Sequence, residues 1–197
     1  MNWKTVGMVD TRSTLENDTH DPENLIYRIV VVGDPQVGKT SLIRRACQNR
    51  FEAEAIGTAL RKENVLVGLV EEVPVTLDIY ESTDYRRTPP QVLFADTLAV
   101  VMVYDVTSPV SFFGLYRWKQ EVQRIRSNMP LVVVGNKIDL PSIVPMSEAQ
   151  GWATFEGIRF MSVSAATGEG VAEIFRQAGQ LAHEYHDLLH NQWSLSR

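Results

Sequence analysis

An α/β fold, with a mainly parallel sheet and helices on both faces, is what this sequence predicts, and three observations carry the prediction. Strand-like and helix-like stretches alternate through the middle of the chain. Residues 98–104 and 131–134 are valine-rich and too apolar to alternate, as strands covered on both faces are. The first strand-like run ends directly in Gly33-Asp34-Pro35, the place for a tight turn into a helix.

Residues 1–24 read as a polar arm with five acids against two bases. It has no apolar segment like that of a signal peptide and is too acidic for a mitochondrial presequence. A disordered tail is one reading, and docking on a partner through Trp3 is the other. Residues 26–32 form the first strand, and residues 41–48 continue as a helix. Two further runs flank Glu71-Glu72 and predict an antiparallel hairpin at one edge. In its second arm Val73, Val75, Leu77 and Ile79 alternate, as in a half-buried strand. After the strand at 98–104, Phe112, Leu115, Trp118, Val122 and Ile125 recur at threes and fours and predict a helix. The strand at 131–134 precedes a helix whose start is read from Ser147, Glu148 and Gln150 as a capping box. A last strand at 160–163 leads to a long helix through Val171, Ile174, Phe175, Ala178, Leu181, Ala182, Tyr185, Leu188 and Leu189. This gives an arm over 1–24, one domain over 25–191 and a short tail over 192–197.

Composition narrows the function. The chain has 197 residues, enough for one domain with a sizeable core, and is 44% hydrophobic. A net charge of −5 argues against nucleic-acid binding through phosphate neutralisation. No apolar run is long enough to span a bilayer. Met1-Asn2 gives no myristoylation signal and the final WSLSR no prenylation cysteine, so no direct lipid anchor is expected. The single cysteine, Cys47, excludes an internal disulfide or a thiolate zinc site and fits a reducing compartment.

Three motifs carry chemistry. Gly33-Asp34-Pro35-Gln36-Val37-Gly38-Lys39-Thr40 matches G-x-x-x-x-G-K-[ST] between a strand and a helix, with Ser41 following. Glycines let such a loop close on a phosphate, backbone N–H groups surround it, and the next helix directs its positive end inward. Lys39 adds a charge for the β- and γ-phosphates, and the Thr40 hydroxyl can ligate Mg²⁺. Farther on, residues 131–134 run into Gly135-Asn136-Lys137-Ile138-Asp139, at the strand end where such sheets bind ligands. Asp139 can accept from the ring N–H and exocyclic amine of guanine, a donor pair adenine lacks. After the last strand, Ser164 can hold that aspartate, and the N–H of Ala165 or of Ala166 can donate to the guanine carbonyl oxygen.

GDPQVGKTSLI, YDVTSPVSF, VVVGNKIDL and SVSAATGEGV together resemble the Ras superfamily of small GTPases, most like its Rab branch. The resemblance covers residues 26–190. It implies a six-stranded, five-helix P-loop domain that binds GTP or GDP with Mg²⁺. Carried over, Lys39 meets phosphate, Thr40 meets the metal, Asn136, Lys137 and Asp139 hold the base, and Ser164-Ala165-Ala166 completes its pocket. Ala166 stands where the family usually has lysine.

The departures lie in the switches. Where Rabs have W-D-T-A-G-Q, this chain has Tyr80-Glu81-Ser82-Thr83-Asp84-Tyr85. Glu81 keeps a carboxylate but carries it one methylene farther out. Asp84 replaces a glycine whose N–H meets the γ-phosphate and brings like charge to it. Tyr85 replaces the glutamine that orients the attacking water and cannot offer the same donor and acceptor pair. The segment from Glu81 to Ala95 is about four residues shorter than a Rab's, and Pro89-Pro90 predicts a short, stiff second switch. In the phosphate loop Pro35 supplies no N–H. Counted without gaps from Thr40, Thr58 is the metal-binding threonine of the first switch; aligning Ile56-Gly57 instead puts Ala55 there.

These changes touch hydrolysis more than binding. The expected function is a Rab-like GTP-binding protein with slow or absent turnover, acting as an adaptor or structural subunit of a larger complex. Similar switch losses occur among Rab-like subunits of ciliary transport trains and in Miro-like proteins. The alternative is a GTP-hydrolysing switch in vesicle or organelle trafficking, so enzymatic activity stays open and no catalytic residue is assigned. An ATP-using P-loop kinase would leave Asn136 and Asp139 without a role. Partners are expected to be protein effectors or a multi-subunit complex at the switch face, in the cytoplasm, in cilia or on an organelle surface. His183, His186 and His190 read as a solvated face of the last helix, Trp118 as core, and Cys47 as packed in or beside the first helix.

Overall fold

A computed structural model of the chain describes residues 3–4, 9–10, 25–51, 61–70, 73–82 and 89–195. The framework is a sheet of β3 (Leu25–Val32), β4 (Arg61–Val70), β5 (Val73–Ser82), β6 (Ala99–Asp105), β7 (Leu131–Asn136) and β8 (Arg159–Val163). These strands lie in the order β4-β5-β3-β6-β7-β8. β3 pairs in parallel with β5 and β6, and β7 pairs in parallel with β6 and β8. β4 is antiparallel to β5, the hairpin expected around Glu71-Glu72, with a register shift between Leu66 and Gly68. The six expected strands gain two from the arm. β1 (Trp3–Lys4) and β2 (Val9–Asp10) both pair antiparallel with the outer edge of β4, making eight strands among the described residues. The arm's other residues lie outside the described ones.

Helices cover both faces because alternate strand residues point opposite ways. Ile29 and Val31 of β3, with Val101 and Val103 of β6, face α1 (Lys39–Gln48) and α5 (Val171–Leu195). Val30 and Val32, with Val100 and Met102, face α2 (Pro90–Leu93), α3 (Pro109–Ile125) and α4 (Met146–Phe155). Trp118 and Cys47 are buried, as expected. Among the described residues, no helix is long and apolar enough to cross a membrane.

Two local readings are corrected. α4 begins at Met146 with Pro145 as its N-cap and no side-chain cap, so Ser147 lies inside the first turn rather than before it. The Pro145 carbonyl accepts from the Glu148 and Ala149 N–H groups, which starts the helix without a hydroxyl. On α5, His183 is buried against β3, where its Nδ1 meets the Tyr27 hydroxyl at 2.7 Å, whereas Leu188 is 60% exposed. A polar partner at the start of β3 draws the histidine inward.

Candidate functional site

Parallel pairing brings the C-terminal ends of the central strands to one rim. Asp105, Asn136 and Val163 stand side by side in register, and Val32 pairs with Met102 beside them. The loops that follow these strands therefore converge, as ligand loops do in open α/β sheets.

The loop at 33–38 enters α1 through Gly38, whose φ of 94° is left-handed; a Cβ there would lie 2.3 Å from Asn136 Nδ2. Only glycine meets both demands. The first helical bond runs from the Leu42 N–H to the Gly38 carbonyl, so the N–H groups of Lys39, Thr40 and Ser41 have no intrahelical acceptor. They face the loop at the positive end of α1, which suits an anion. Lys39 Nζ folds back to the carbonyls of Gly33 (2.9 Å) and Asp34 (2.8 Å). Burial lowers the Lys39 ammonium to about 8, against the charges of Glu81 and Asp34, which pull it up.

Thr40 and Glu81 form a buried pair. The Thr40 hydroxyl donates to Glu81 Oε1 at 2.6 Å, and Glu81 Oε2 is buried without a hydrogen-bond partner among the described residues. An unpaired carboxylate oxygen beside a hydroxyl and an ammonium costs free energy unless a cation or donor meets it. The donor set is all oxygen, which suits Mg²⁺.

Other contacts brace this loop. The Asp34 carboxylate turns away from the cradle toward α3, where Trp118 Nε1 donates to it at 3.3 Å and Arg117 lies 3.5 Å away. A Cβ on Gly114 would sit 2.5 Å from that carboxylate, so glycine is what lets the loop approach the helix. Gln36 is left-handed at φ 66°, and its carbonyl accepts from Lys137 Nζ at 2.9 Å.

Asn136, 1% exposed, joins two loops: its Nδ2 donates to the Val37 carbonyl at 2.8 Å and its Oδ1 accepts from the Ala165 N–H at 3.1 Å. Ser164 donates to Asp139 Oδ1 at 2.5 Å, the contact read from the sequence. Lys137, at φ 72°, pairs with Asp105 at 2.5 Å. Burial works to raise the Asp105 carboxyl, but the hydrogen bonds from Lys137 and Thr107 outweigh it and hold the group below its ordinary value. A carboxylate fixed by a hydroxyl, on the loop that carries Asn136 and Lys137, can accept from a heterocycle edge.

Thus residues 33–41, Asn136, Lys137, Asp139, Ser164, Ala165 and Ala166 gather at one rim. Thr58, its alternative Ala55, and Asp84 and Tyr85 lie outside the described residues. Sequence reasoning missed Gly114 and the Asp105–Lys137 pair. Only Asp105 left a signal, an acid closing an otherwise apolar strand.

The chain matches the Ras family over residues 28–184. It is 33% identical to the Ras-related protein RabG2 of Dictyostelium discoideum over 161 residues, 79% of this chain and 80% of that protein. It is 31% identical to the Ras-related protein Rab-5A of the same organism over 157 residues, 76% of this chain and 77% of the relative. It is 32% identical to the Ras-related protein Rab-21 of Mus musculus over 155 residues, 76% and 69% of the two chains.

Proposed function

The chain belongs to the Ras family of small GTPases and is Rab-like within it, and on that premise we propose a protein that holds GTP, turns it over slowly and serves as an adaptor or structural subunit of a larger assembly. Residues 25–191 are its nucleotide-binding domain. The N–H groups of the loop at 33–41 and Lys39 take the phosphates. Asp139, held by Ser164, takes the ring N–H and exocyclic amine of guanine. Asn136 and Lys137 keep the phosphate and base loops together, and Ala165 or Ala166 supplies the donor to the base carbonyl.

Mg²⁺ fits at Thr40 with Glu81 beside it, and Thr58 of the first switch is its further ligand. The orphaned Glu81 oxygen supports that assignment. When bound, the ion supplies charge neutralisation between the β- and γ-phosphates. Lys39 and the helix terminus hold the phosphates whether or not hydrolysis follows.

The observation that carries slow turnover is the second switch. After Ser82, the chain offers Asp84 and Tyr85 where the family places its glycine and glutamine, and α2 is a four-residue helix behind Pro89. Tyr85 has a single phenolic oxygen in place of an amide's separate carbonyl oxygen and NH₂, so it cannot offer the attacking water the same donor and acceptor pair. Such a protein presents one lasting nucleotide state to partners at the switch face. It reaches a cilium or an organelle surface through those partners, from the cytoplasm.

The test is the nucleotide that co-purifies. Gentle purification, release of the ligand and chromatography are expected to give stoichiometric GTP. Mostly GDP would overturn slow turnover and leave the hydrolysing switch as the reading.

A further inference from the structure

A cavity of about 90 Å³ lies beside the base loop, between the ends of β6 and β8 and the segment that leads into α4. Ile138, Leu140, Val144, Met146 and Phe160 give it apolar walls, and Tyr104 of β6 lines it from within the sheet. Leu140 and Met146 are each about half exposed, which opens the cavity to solvent on that side. Apolar cavities of roughly 150 Å³ take up benzene. With one side open, the smaller volume here admits a single six-membered ring whose far edge stays at the surface.

One polar group in this wall is left over. Tyr104 is 1% exposed, and its hydroxyl makes no hydrogen bond among the described residues. Its ring is fixed on two sides. It packs on Phe112 with centroids 5.2 Å apart, and a Cβ on Gly135 would lie 2.7 Å from the hydroxyl oxygen. Burial and the Glu148 carboxylate push the Tyr104 phenol up to about 12, so it stays protonated and remains a donor. The Ser142 hydroxyl on the same wall is already turned to the Val144 carbonyl at 2.6 Å. Walls this apolar suit a ring with one acceptor in its edge better than a file of waters, each of which needs two to four polar partners.

We propose that this cavity is a second ligand site, which takes a compact six-membered ring with one hydrogen-bond acceptor and tightens guanine binding when filled. The acceptor meets the Tyr104 hydroxyl, and the ring lies against Ile138, Val144 and Phe160. Ile138 and Leu140 flank Asp139 in the chain, and the Ile138 N–H donates to the Val163 carbonyl at 3.2 Å, one residue before Ser164. A ring packed on these two side chains restrains the turn that carries Asp139, so less freedom is lost when guanine binds. The link to the base rests on the guanine reading above, whereas occupancy of the cavity does not.

Pyridine and benzene share size and shape, and only pyridine carries an acceptor. Their binding to the full chain is measured by ligand-observed NMR, at a pH where pyridine is uncharged, and GDP affinity by calorimetry with and without pyridine. Pyridine is expected to bind about three- to tenfold more tightly than benzene, the factor that one neutral hydrogen bond gives. Tyr104→Phe should make the two rings equal, and Ser162→Leu, which fills the space, should abolish both. Pyridine near saturation should tighten GDP about threefold in the unaltered chain, and GDP should tighten pyridine by the same factor. No binding of either ring, equal binding of the two, or a preference for pyridine that survives Tyr104→Phe overturns the site and leaves guanine binding standing. Pyridine binding that leaves GDP affinity unmoved overturns the link to the base. A chain that takes up pyridine with this selectivity but binds no GDP overturns the guanine reading and the link, and upholds the cavity as a site. Should Ser162→Leu fail to fold, Tyr104→Phe decides.

Discussion

Lys39 is 3% exposed, and its ammonium sits at about 8 because burial disfavours the charge more than Glu81 and Asp34 favour it. A bound phosphate adds negative charge beside it and must raise that value. Binding and protonation are then linked with a definite sign. Below pH 8 the ammonium is already formed and affinity is full. As pH rises through about 8, each binding event must take up a proton, and affinity falls, approaching tenfold per pH unit. GDP titrations at pH 7, 8 and 9 check this, with Lys39→Arg as the variant whose charge does not titrate and whose curve stays flat. A flat curve in the unaltered chain would remove Lys39 from the phosphate contact. Lys39, Thr40, Asp139 and Ser164 were legible in the sequence because each motif lies within a few residues of a strand end. Asp34 was legible as a loop residue only, since its carboxylate is set by Trp118, 84 residues away.

The third and fifth helices were both predicted from apolar periodicity and both bury the stripe that was read, but the fifth departs from it at two positions. In α3, Phe112, Leu115, Trp118 and Val122 are all buried. In α5, the stripe was taken through Leu188, which is exposed, and away from His183, which is 9% exposed. A helical wheel counts apolar side chains and cannot see a tyrosine hydroxyl waiting on a strand 156 residues earlier. Tyr27 is pushed up to about 12 by burial and by Asp187, so its hydroxyl stays protonated at neutral pH and keeps its hydrogen bond with His183 Nδ1. Removing either partner leaves the other polar group buried and unpaired. Tyr27→Phe and His183→Leu should each cost about 1–2 kcal/mol in urea unfolding. The double variant should cost less than the sum, because neither orphan then remains. Additive losses would mean that the hydrogen bond contributes nothing to holding α5 on β3.

Across the whole molecule, the sheet has two edges, and they are finished differently. β8 closes one side, and β4 would leave the other open to pairing with a further chain. The arm answers this by laying Trp3–Lys4 against Leu69–Val70 and Val9–Asp10 against Val65–Leu66. Its sequence carried no strand pattern, because two-residue pairings are too short for alternation to register, and the partner edge exists only once the hairpin has formed. The six long strands, each with its own apolar run, were legible throughout. Because so few residues pair, the arm should matter to the edge far more than to global stability. Val9→Pro fixes φ near −65° and removes an N–H, which opposes the extended pairing of Val9 with Leu66. Hydrogen exchange over residues 61–70 should then quicken in that variant, while the urea midpoint shifts by less than about 1 kcal/mol in stability. Thr14→Pro, separated in sequence from residues 3–4 and 9–10, should leave exchange as it was. Equal exchange in the Val9→Pro and unaltered chains would mean that the arm does not protect β4 in solution. A large fall in global stability would mean instead that the edge pairing is part of the folding unit, with the domain beginning at β1 rather than at β3.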